Sequence, residues 1–397
     1  MQEQKSGLAD LARAFLKLGA MSYGGPAIMG IMQAELQEKR GWVSKEKFLE
    51  GLALVNMLPG PGATQLGIFL GYQRAGWRGG MIAGLCFILP AFFIMLALTL
   101  LYSAYGAMPT LRGAFYGLGP VVLGIFAVAL YRLGKNALKA PAQVLLALAA
   151  LAAAAWSPLS IVFILLLAGC AGVALYHSKL QGLGAAALIL ALFALSQSVG
   201  GPVEHAGPAG ATPAGRGLWD IGAFFFKVGA LTFGGGLSML AFVQEQVVNQ
   251  LHWLTPREYL DGLALGQLTP GPILMLAAFV GFKLAGVAGA ATGCIAIFLP
   301  SFILMLSVMP VLARLRHLLW IKAAMRGISA AVIGAVACSL LQMAPDAAPD
   351  AFALFLLVLT VAAILAWRAT PLPLMLGGAF VGVSSRLNPL KKLTEFV

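Results

Sequence analysis

Long apolar runs are the first constraint on how this chain folds. Three of them are Gly80–Leu101, Gly117–Leu133 and Ala351–Trp367. A helix needs about 20 mostly apolar residues to cross the hydrocarbon core of a bilayer, and it satisfies its own backbone hydrogen bonds there. The sequence therefore predicts an all-α polytopic membrane protein with the lipid bilayer as its surroundings.

The charged residues exclude several classes of function. The formal net charge is +12, but Lys and Arg lie in short loops between the apolar runs. Positive-inside orientation explains that pattern better than a nucleic-acid-binding face does, so we expect no nucleic-acid partner. The cysteines and histidines form no pattern typical of a metal site or a nucleophilic triad. We predict no catalytic residues, no metal and no cofactor.

The chain contains an internal repeat with an offset of about 210 residues. The segment Phe15–Leu36 resembles Phe225–Gln246, and Trp42–Pro61 resembles Trp253–Pro272. The repeat continues as far as Gly124, opposite Gly334, and we expect the halves to diverge beyond it. A repeat of this length indicates two homologous halves.

The boundaries of the halves follow from composition. Residues 200–217 are rich in Gly, Pro and Ala and are predicted to form a linker. We assign residues 1–199 to the N-terminal repeat and residues 218–397 to the C-terminal repeat. The N-terminal half has an extra apolar segment near Leu183–Val199.

The first two segments of each half are interrupted. Tyr23–Pro26 contains a Gly-Gly pair and Pro59–Gly62 a Pro-Gly-Pro motif, and the second half repeats them at Phe233–Gly236 and Pro270–Pro272. Proline lacks the amide donor and glycine permits conformations that a helix excludes. We therefore expect broken or re-entrant segments at both motifs. Such backbone is tolerated at membrane depth only where protein buries it or a watery cavity receives it.

The loop charges predict that the two halves are inverted relative to each other. The loops beside the Pro-Gly-Pro segment are rich in Lys and Arg in the first half and poor in the second, and the next loop reverses this bias. The basic residues of the first pair of loops are Lys39, Arg40, Lys45, Lys47, Arg74 and Arg78, against Arg257 and Lys283; those of the next are Arg112, against Arg314, Arg316 and Lys322. Positive residues mark one membrane face, so the pattern favours inverted-topology repeats, as in many secondary transporters.

An oxyanion site is predicted around the interrupted segments. Lys17 and Lys227 occupy the same repeat position, in segments expected to be buried in the membrane, where ionisable groups are costly and often functional. Hydroxyl groups and glycine amides follow each lysine, and this donor set suits a tetrahedral dianion. The predicted substrate-binding residues are Lys17, Ser22, Tyr23, Gly24, Gly25, Asn56, Pro59, Gly60, Pro61, Lys227, Thr232, Phe233, Gly234, Gly235, Gly236, Gln267, Pro270, Gly271 and Pro272.

Each group of these residues also has a purely structural interpretation. The lysines lie near segment ends and would then extend to the lipid headgroups. The glycines would serve close helix packing, the prolines would shape a hairpin tip, and Asn56 and Gln267 would cap helices.

Two pairs of acidic residues recur in the repeat. Glu35 matches Glu245, and both are candidates for carrying a proton that couples transport. Glu50 matches Asp261 in the same way. The alternative for all four is that they cap helices or pair with neighbouring basic loops.

The paired motifs resemble the chromate ion transporter family, specifically its long two-domain members. The resemblance rests on the Gly-Gly motifs at Tyr23–Pro26 and Phe233–Gly236 and on both Pro-Gly-Pro motifs, and it covers roughly Leu11–Tyr131 and Trp219–Leu340. It implies a bacterial inner-membrane protein that exports chromate, confers chromate resistance and has antiparallel homologous halves. The two Gly-Gly motifs differ at their first and last residues, so the half-sites need not be equivalent.

Other functions remain open on the residues alone. Sulfate has nearly the shape of chromate and the same charge, and a passive anion channel would share the repeat. A membrane-embedded enzyme acting on lipid phosphates should show a convergent His, Asp or Ser constellation, and none is visible. A homodimer is also open.

The loop charges lead to a test of topology. Cysteines introduced at Lys45 and Arg257 are expected to react with an impermeant thiol reagent from opposite sides of the membrane, because their loops are homologous but inverted. Labelling of intact cells and everted vesicles measures this. Labelling of both positions from one side would contradict the inverted arrangement.

Overall fold

The computed structural model describes residues 7–23, 26–56, 58–157, 159–199, 217–233, 236–309 and 319–387. These residues form helices without strands, which confirms the predicted all-α class. The predicted linker at 200–217 lies, except for Gly217, outside the described residues.

The helices of the two halves follow in equivalent order. Those of the first half are α1 (Leu8–Met21), α2 (Pro26–Met32, continued by a wider π-helical segment at Gln33–Lys39), α3 (Lys45–Val55), α4 (Gly62–Tyr105), α5 (Pro109–Ala137), α6 (Pro141–Trp156), α7 (Ile161–Tyr176) and α8 (Lys179–Val199). Those of the second half are α9 (Leu218–Ala230), α10 (Leu237–Val243, continued by a π-helical segment at Gln244–Gln250), α11 (Pro256–Leu268), α12 (Leu276–Val308, preceded by a 3₁₀ turn at Ile273–Met275), α13 (Leu319–Ala347), α14 (Ala351–Ala366) and α15 (Pro371–Leu387).

Four of the described helices are long and apolar enough to cross a membrane. They are α4, α5, α12 with its preceding turn, and α13. Shorter apolar helices accompany them, among them α6, α7, α14 and α15. The protein is therefore a multi-pass membrane protein.

Helix α4 is a hairpin of two arms. Ala75 and Gly76 have non-helical backbone angles, and a Cβ added to Gly79 would overlap the carbonyl oxygen of Gly71. In a straight helix Gly71 and Gly79 would be about 12 Å apart along the axis. The first arm, residues 62–74, is only about 20 Å long and cannot cross a core of about 30 Å. Helix α12 turns in the same way at Ala285 and Gly286.

The predicted helix starts after the first loops are confirmed. Ser44 caps α3 by accepting a hydrogen bond from the Lys47 amide. Thr255 and Glu258 form the predicted capping box at the start of α11, with Pro256 in its first turn. Each capped helix runs to the Pro-Gly-Pro motif, and the first arm of α4 or the start of α12 leads away from it. The interruptions predicted at that motif are thus present in both halves.

The repeat extends further than the sequence suggested. Helices α6 and α14 begin 210 residues apart and have 16 residues each, and α7 and α15 also begin 210 residues apart. The expectation that the halves diverge beyond Gly124 and Gly334 is therefore wrong. Residue identity fades there because many apolar side chains suit a lipid-facing surface, while the starting positions of the helices persist and their lengths differ by at most one residue. Helix α8 is the expected extra segment.

The last helices of each half pack on the other half. Helices α6 and α7 lie against α13, while α14 and α15 lie against α5. Glycines set both crossings, since a Cβ on Gly117 would overlap the backbone of Gly378 and one on Gly327 would overlap that of Ala168. Gly327 is the repeat equivalent of Gly117, and Gly378 that of Ala168. Such reciprocal contacts are those of a two-fold relation, and they interlock the halves.

A test of this interlock compares a helical glycine buried at the crossing with an exposed helical glycine outside it. Gly117→Ala is expected to destabilise the protein by about 1–3 kcal/mol, because the added methyl overlaps main-chain atoms that have no room to move. Gly377→Ala is the control, since its Cβ would meet nothing within 4 Å. The apparent unfolding temperature in detergent measures both, and equal temperatures for the two variants would contradict the crossing.

Candidate functional site

Two main-chain hydrogen bonds join the interrupted segments of opposite halves. The Gly60 amide donates to the Thr232 carbonyl oxygen at 2.6 Å, and the Gly271 amide donates to the Ser22 carbonyl oxygen at 2.7 Å. Each Pro-Gly-Pro motif therefore meets the residue that precedes the Gly-Gly motif of the other half. We call the contact of Gly60 with Thr232 the first crossing and that of Gly271 with Ser22 the second crossing.

Only glycine fits at the centre of each crossing. Gly60 has a φ of 128° and Gly271 a φ of 103°, conformations that other residues rarely adopt. A Cβ on Gly60 would lie 2.7 Å from the Ser301 hydroxyl oxygen, and one on Gly271 would lie 2.8 Å from the Ala91 Cβ. Ser301 and Ala91 are repeat equivalents, so the crossings have matching geometry and different chemistry.

The first crossing is polar. Gln65 donates from Nε2 to the Pro59 carbonyl oxygen at 2.5 Å, and its side chain contacts the Gly60 position beside Ser301. Thr64, Gln65 and Ser301 are almost completely buried. Among the described residues, the Thr64 hydroxyl, the Gln65 Oε1 and the Ser301 hydroxyl have no hydrogen-bond partner.

The second crossing is largely apolar. Leu274, Met275 and Ala91 occupy the positions equivalent to Thr64, Gln65 and Ser301. Its one unpartnered polar side chain in the described part of the chain is that of Ser22, which is fully buried. Thr232, the equivalent of Ser22, donates instead to the Val228 carbonyl oxygen at 2.7 Å. The two-fold scaffold thus carries one polar and one apolar centre.

Buried hydroxyls without partners cost about 1–3 kcal/mol each, and native proteins contain few of them. Two of them near one interruption, those of Thr64 and Ser301, are the donors that a polar ligand would need. The polar residues lie beside the start of α4, where the helix dipole favours negative charge and the first amides have no intrahelical acceptor. The first crossing is therefore a candidate oxyanion site.

The structure brings together part of the predicted site. Ser22, Gly60, Thr232 and Gly271 meet at the crossings, and the four prolines of the Pro-Gly-Pro motifs flank them. Tyr23 and Phe233 are partly buried beside their hydroxyl neighbours, while Gly236 is the residue immediately before α10. Gly24, Gly25, Gly234 and Gly235 lie outside the described residues.

Asn56 and Gln267 lie at the ends of the helices that lead to the crossings. Asn56 follows the last residue of α3 and is exposed, and its amide donates to the Leu52 carbonyl oxygen. Gln267 is the penultimate residue of α11 and is partly buried. The position of Asn56 fits the alternative that it caps a helix. A substrate contact from Asn56 or Gln267 stays a prediction.

The two lysines lie on the outer faces of α1 and α9. Both side chains are exposed, while the opposite face of α1, with Leu11, Phe15 and Leu18, is buried against α4. Lys17 acts electrostatically on Glu35, and the Lys227 ammonium lies 5.9 Å from the centre of the Phe242 ring. These contacts are each within one half. Convergence of the two ammonium groups on one anion stays a prediction.

The coupling candidates have local partners. Glu35 pairs with Arg40 at 2.9 Å and with Lys39 at 3.6 Å, and the hydrogen bond from Arg40 lowers the pKa of its carboxyl group. Glu245 accepts hydrogen bonds from Asn249 at 3.0 Å and Gln250 at 2.9 Å. Glu35 thus pairs with its basic loop, as the structural alternative expected, and a role in coupling is untested for both.

Sequence reasoning missed Thr64, Gln65 and Ser301. It followed the residues that the halves share, whereas these three are polar at positions where the repeat partner is apolar. A comparison of the halves for such differences would have identified them.

The chain is similar to known membrane proteins over almost its whole length. A family model described as Chromate transporter matches residues 9–173 and again residues 219–383. The chromate transport protein of Cupriavidus metallidurans is 32% identical over 376 residues, which cover 94% of this chain and 91% of that protein. The probable chromate transport protein of Synechococcus elongatus is 33% identical over 343 residues, 83% of each chain. No solved structure gives a significant match.

The matched segments begin 210 residues apart and include α6 and α14, and most of α7 and α15. They are longer than Leu11–Tyr131 and Trp219–Leu340, the extent that the motifs suggested. The shared residues are sparse in the later helices, and for this reason the motifs alone underestimated the match.

The unpartnered hydroxyl of Ser301 leads to a test by stability. Ser301→Ala is expected to raise the free energy of unfolding in the absence of oxyanions by about 1 kcal/mol or more, and with it the unfolding temperature, because it removes a buried polar group without a partner. Ser339→Ala is the control, since the Ser339 hydroxyl donates to Gln244, and its loss should lower the temperature. A Ser301→Ala protein less stable than wild type would show that this hydroxyl has a partner.

Proposed function

Because the chain belongs to the chromate transporter family, we propose that it is a secondary transporter that exports the chromate dianion across the bacterial inner membrane and so confers chromate resistance. The resemblance carried by its Gly-Gly and Pro-Gly-Pro motifs is confirmed by this membership. Its relatives are named as transport proteins, and we infer transport rather than catalysis.

The observation that carries the proposal is a pair of buried hydroxyls without partners, that of Ser301 at the Gly60 position and that of Thr64 in the first turn of α4. A tetrahedral dianion offers many acceptor positions, and the Thr64 and Ser301 hydroxyls each have a proton to donate. The Gln65 amide nitrogen has two protons and uses one of them for Pro59. A bound oxyanion would thus complete the donors that the first crossing leaves without acceptors.

The charge of the anion needs stabilisation beyond neutral donors. The N-terminus of α4 supplies part of it through the helix dipole. We propose that Lys17 and Lys227 add positive potential on the approach, since both have exposed ammonium groups on the helices that lead to the crossings. Exposed cations raise the local concentration of an anion without holding it tightly.

Transport requires that the centre opens. The polar side chains at the first crossing are buried, so the structure represents a closed conformation of the site. We propose that the two-fold axis between the halves lies in the membrane plane and that the crossings open alternately to the two sides. The main-chain bonds at Gly60 and Gly271 would then break and form in turn.

One set of vesicle assays distinguishes the proposal from its three alternatives, which are sulfate as the substrate, a passive anion channel and an enzyme acting on lipid phosphates. Chromate uptake into everted vesicles, with and without a proton gradient, corresponds to export from cells. Accumulation against a gradient indicates a coupled carrier, and equilibration alone indicates a channel. Competition by sulfate measures the selectivity between the two dianions. Release of phosphate from lipid without anion flux would indicate the enzyme.

Substitutions at the first crossing test the binding site. Thr64→Val and Ser301→Ala are each expected to weaken chromate binding by about tenfold, because each removes a hydrogen bond to a charged ligand. Titration of purified protein in detergent measures the affinity per folded molecule.

The matched control is Thr99→Val. Thr99 is another buried threonine, on the second arm of α4, and its hydroxyl donates to the Met95 carbonyl oxygen at 2.7 Å. Its removal is expected to leave the affinity unchanged. Wild-type affinity in both Thr64→Val and Ser301→Ala would place the anion elsewhere.

A further inference from the structure

A second polar cavity lies between the halves, away from the crossings. It has a volume of about 430 Å³ and is lined by Tyr102, Arg112 and Phe115 of the first half and by Arg257 and Asp261 of the second. It lies where α4 ends, α5 begins and α11 begins. The volume admits a tetrahedral oxyanion together with water molecules.

Two guanidinium groups enter this cavity. The Arg257 Nε lies 3.6 Å from the Asp261 Oδ1, which is longer than a charge-assisted hydrogen bond. Arg112 has no acidic partner among the described residues. Both groups therefore retain donors for a ligand, and planar guanidinium groups match the oxygens of an oxyanion.

Asp261 is the acidic group of the cavity. Its side chain is only 10% exposed, and it accepts a hydrogen bond from the Tyr102 hydroxyl at 2.8 Å. The ionised carboxylate competes with any anion for Arg257, whereas the protonated form does not. Occupation of the cavity by an anion is thus linked to the protonation of Asp261.

The repeat shows that this group of residues belongs to one half only. Glu46 occupies the position equivalent to Arg257, and Glu50, equivalent to Asp261, pairs with Lys47 at 3.2 Å. Where the second half has a cation and an acid facing a cavity, the first half has two acids. If Arg257 and Asp261 only held the two-fold scaffold together, the same pair would be expected in the first half.

We propose that the cavity between Tyr102, Arg112, Arg257 and Asp261 is a second oxyanion site, in which protonation of Asp261 frees Arg257 and strengthens anion binding. The class of ligand rests on the proposed function. This second site is distinct from the first crossing, and the anion would pass between the two. Occupancy of the second site would depend on the pH on the side of the membrane where α11 begins.

The surroundings of Asp261 set the pH range. Burial raises the pKa of Asp261 to about 6, although Tyr102 and Arg257 act in the opposite direction. Glu258 raises this pKa and Lys283, which pairs with Glu258 at 2.7 Å, lowers it. Arg112 faces the cavity from α5. Helix α13 also contacts α11, and its Asp346 lines a separate cavity beside Tyr259 and Leu260.

The sign of the effect follows from linkage. A bound dianion favours the protonated carboxyl group and raises its pKa, so binding takes up a proton. Affinity is therefore expected to rise as the pH falls toward about 6, by at most tenfold per pH unit, and to level off below the pKa of the unoccupied site. Sulfate is the suitable probe, because it remains a dianion throughout this range.

The experiment is calorimetric titration of the purified full-length protein with sulfate at about pH 5.5 and about pH 7.5. Wild type is expected to bind about tenfold more tightly at the lower pH. Asp261→Asn, which is nearly isosteric, should bind with the same high affinity at both values. Tyr102→Phe should shift the transition to higher pH, because it removes a hydrogen bond to the ionised carboxylate.

Arginine variants locate the ligand. Arg257→Gln and Arg112→Gln should each weaken the pH-dependent binding by about tenfold. Arg326→Gln is the control, since Arg326 of α13 lies over the ring of Tyr176 of α7 and does not line the cavity. Affinity is normalised to the folded protein recovered by size exclusion, so that poor insertion of a variant does not count as weak binding.

The two proposals fail differently. Binding that is independent of pH in wild type, or unchanged by both arginine variants, would overturn the second site, and loss of binding in Thr64→Val would then still support the first crossing. Binding that depends on pH and on Arg257 but is unaffected by Thr64→Val and Ser301→Ala would support the second site and count against the first.

Discussion

The two main-chain hydrogen bonds at Gly60 and Gly271 are the contacts on which the centre of this protein depends. Each Pro-Gly-Pro motif interrupts a helix inside an apolar environment, where an amide without an acceptor costs several kcal/mol. The acceptor in each case is a carbonyl group at the end of the first helix of the other half. Neither half completes its own backbone, and the exchange of α6, α7, α14 and α15 between the halves adds to this mutual dependence.

Both proposed anion sites lie where the two halves depart from symmetry. The scaffold places equivalent glycines, hairpins and helix ends around a two-fold axis, and the chemistry differs where Thr64, Gln65 and Ser301 face one crossing and apolar residues the other. The second polar cavity departs from symmetry in the same way, with Arg257 and Asp261 where the first half has Glu46 and Glu50. A duplicated scaffold maintains the geometry, while differences in sequence between the copies give each proposed site its polar or charged side chains.

Local features of the structure were predictable from the sequence. The caps at Ser44 and Thr255, the interruptions at both motifs and the ion pairs of Glu35 depend on residues a few positions apart. The repeat also predicted that both halves share these features. It failed beyond Gly124 because the later helices keep their starting positions and nearly their lengths while their apolar side chains vary. The wrong expectation of divergence came from comparing residue identities.

The sequence by itself determined that the chain is helical, crosses a membrane and is built twice, because apolar length, proline and glycine act through the local backbone. Only the tertiary structure decided that the motifs of one half meet those of the other, that Lys17 and Lys227 face outward, and that Ser301 comes to Gly60 from 241 positions away. Contacts between distant segments depend on how helices pack, and that packing is set by the joint shape of many side chains, which no short motif encodes.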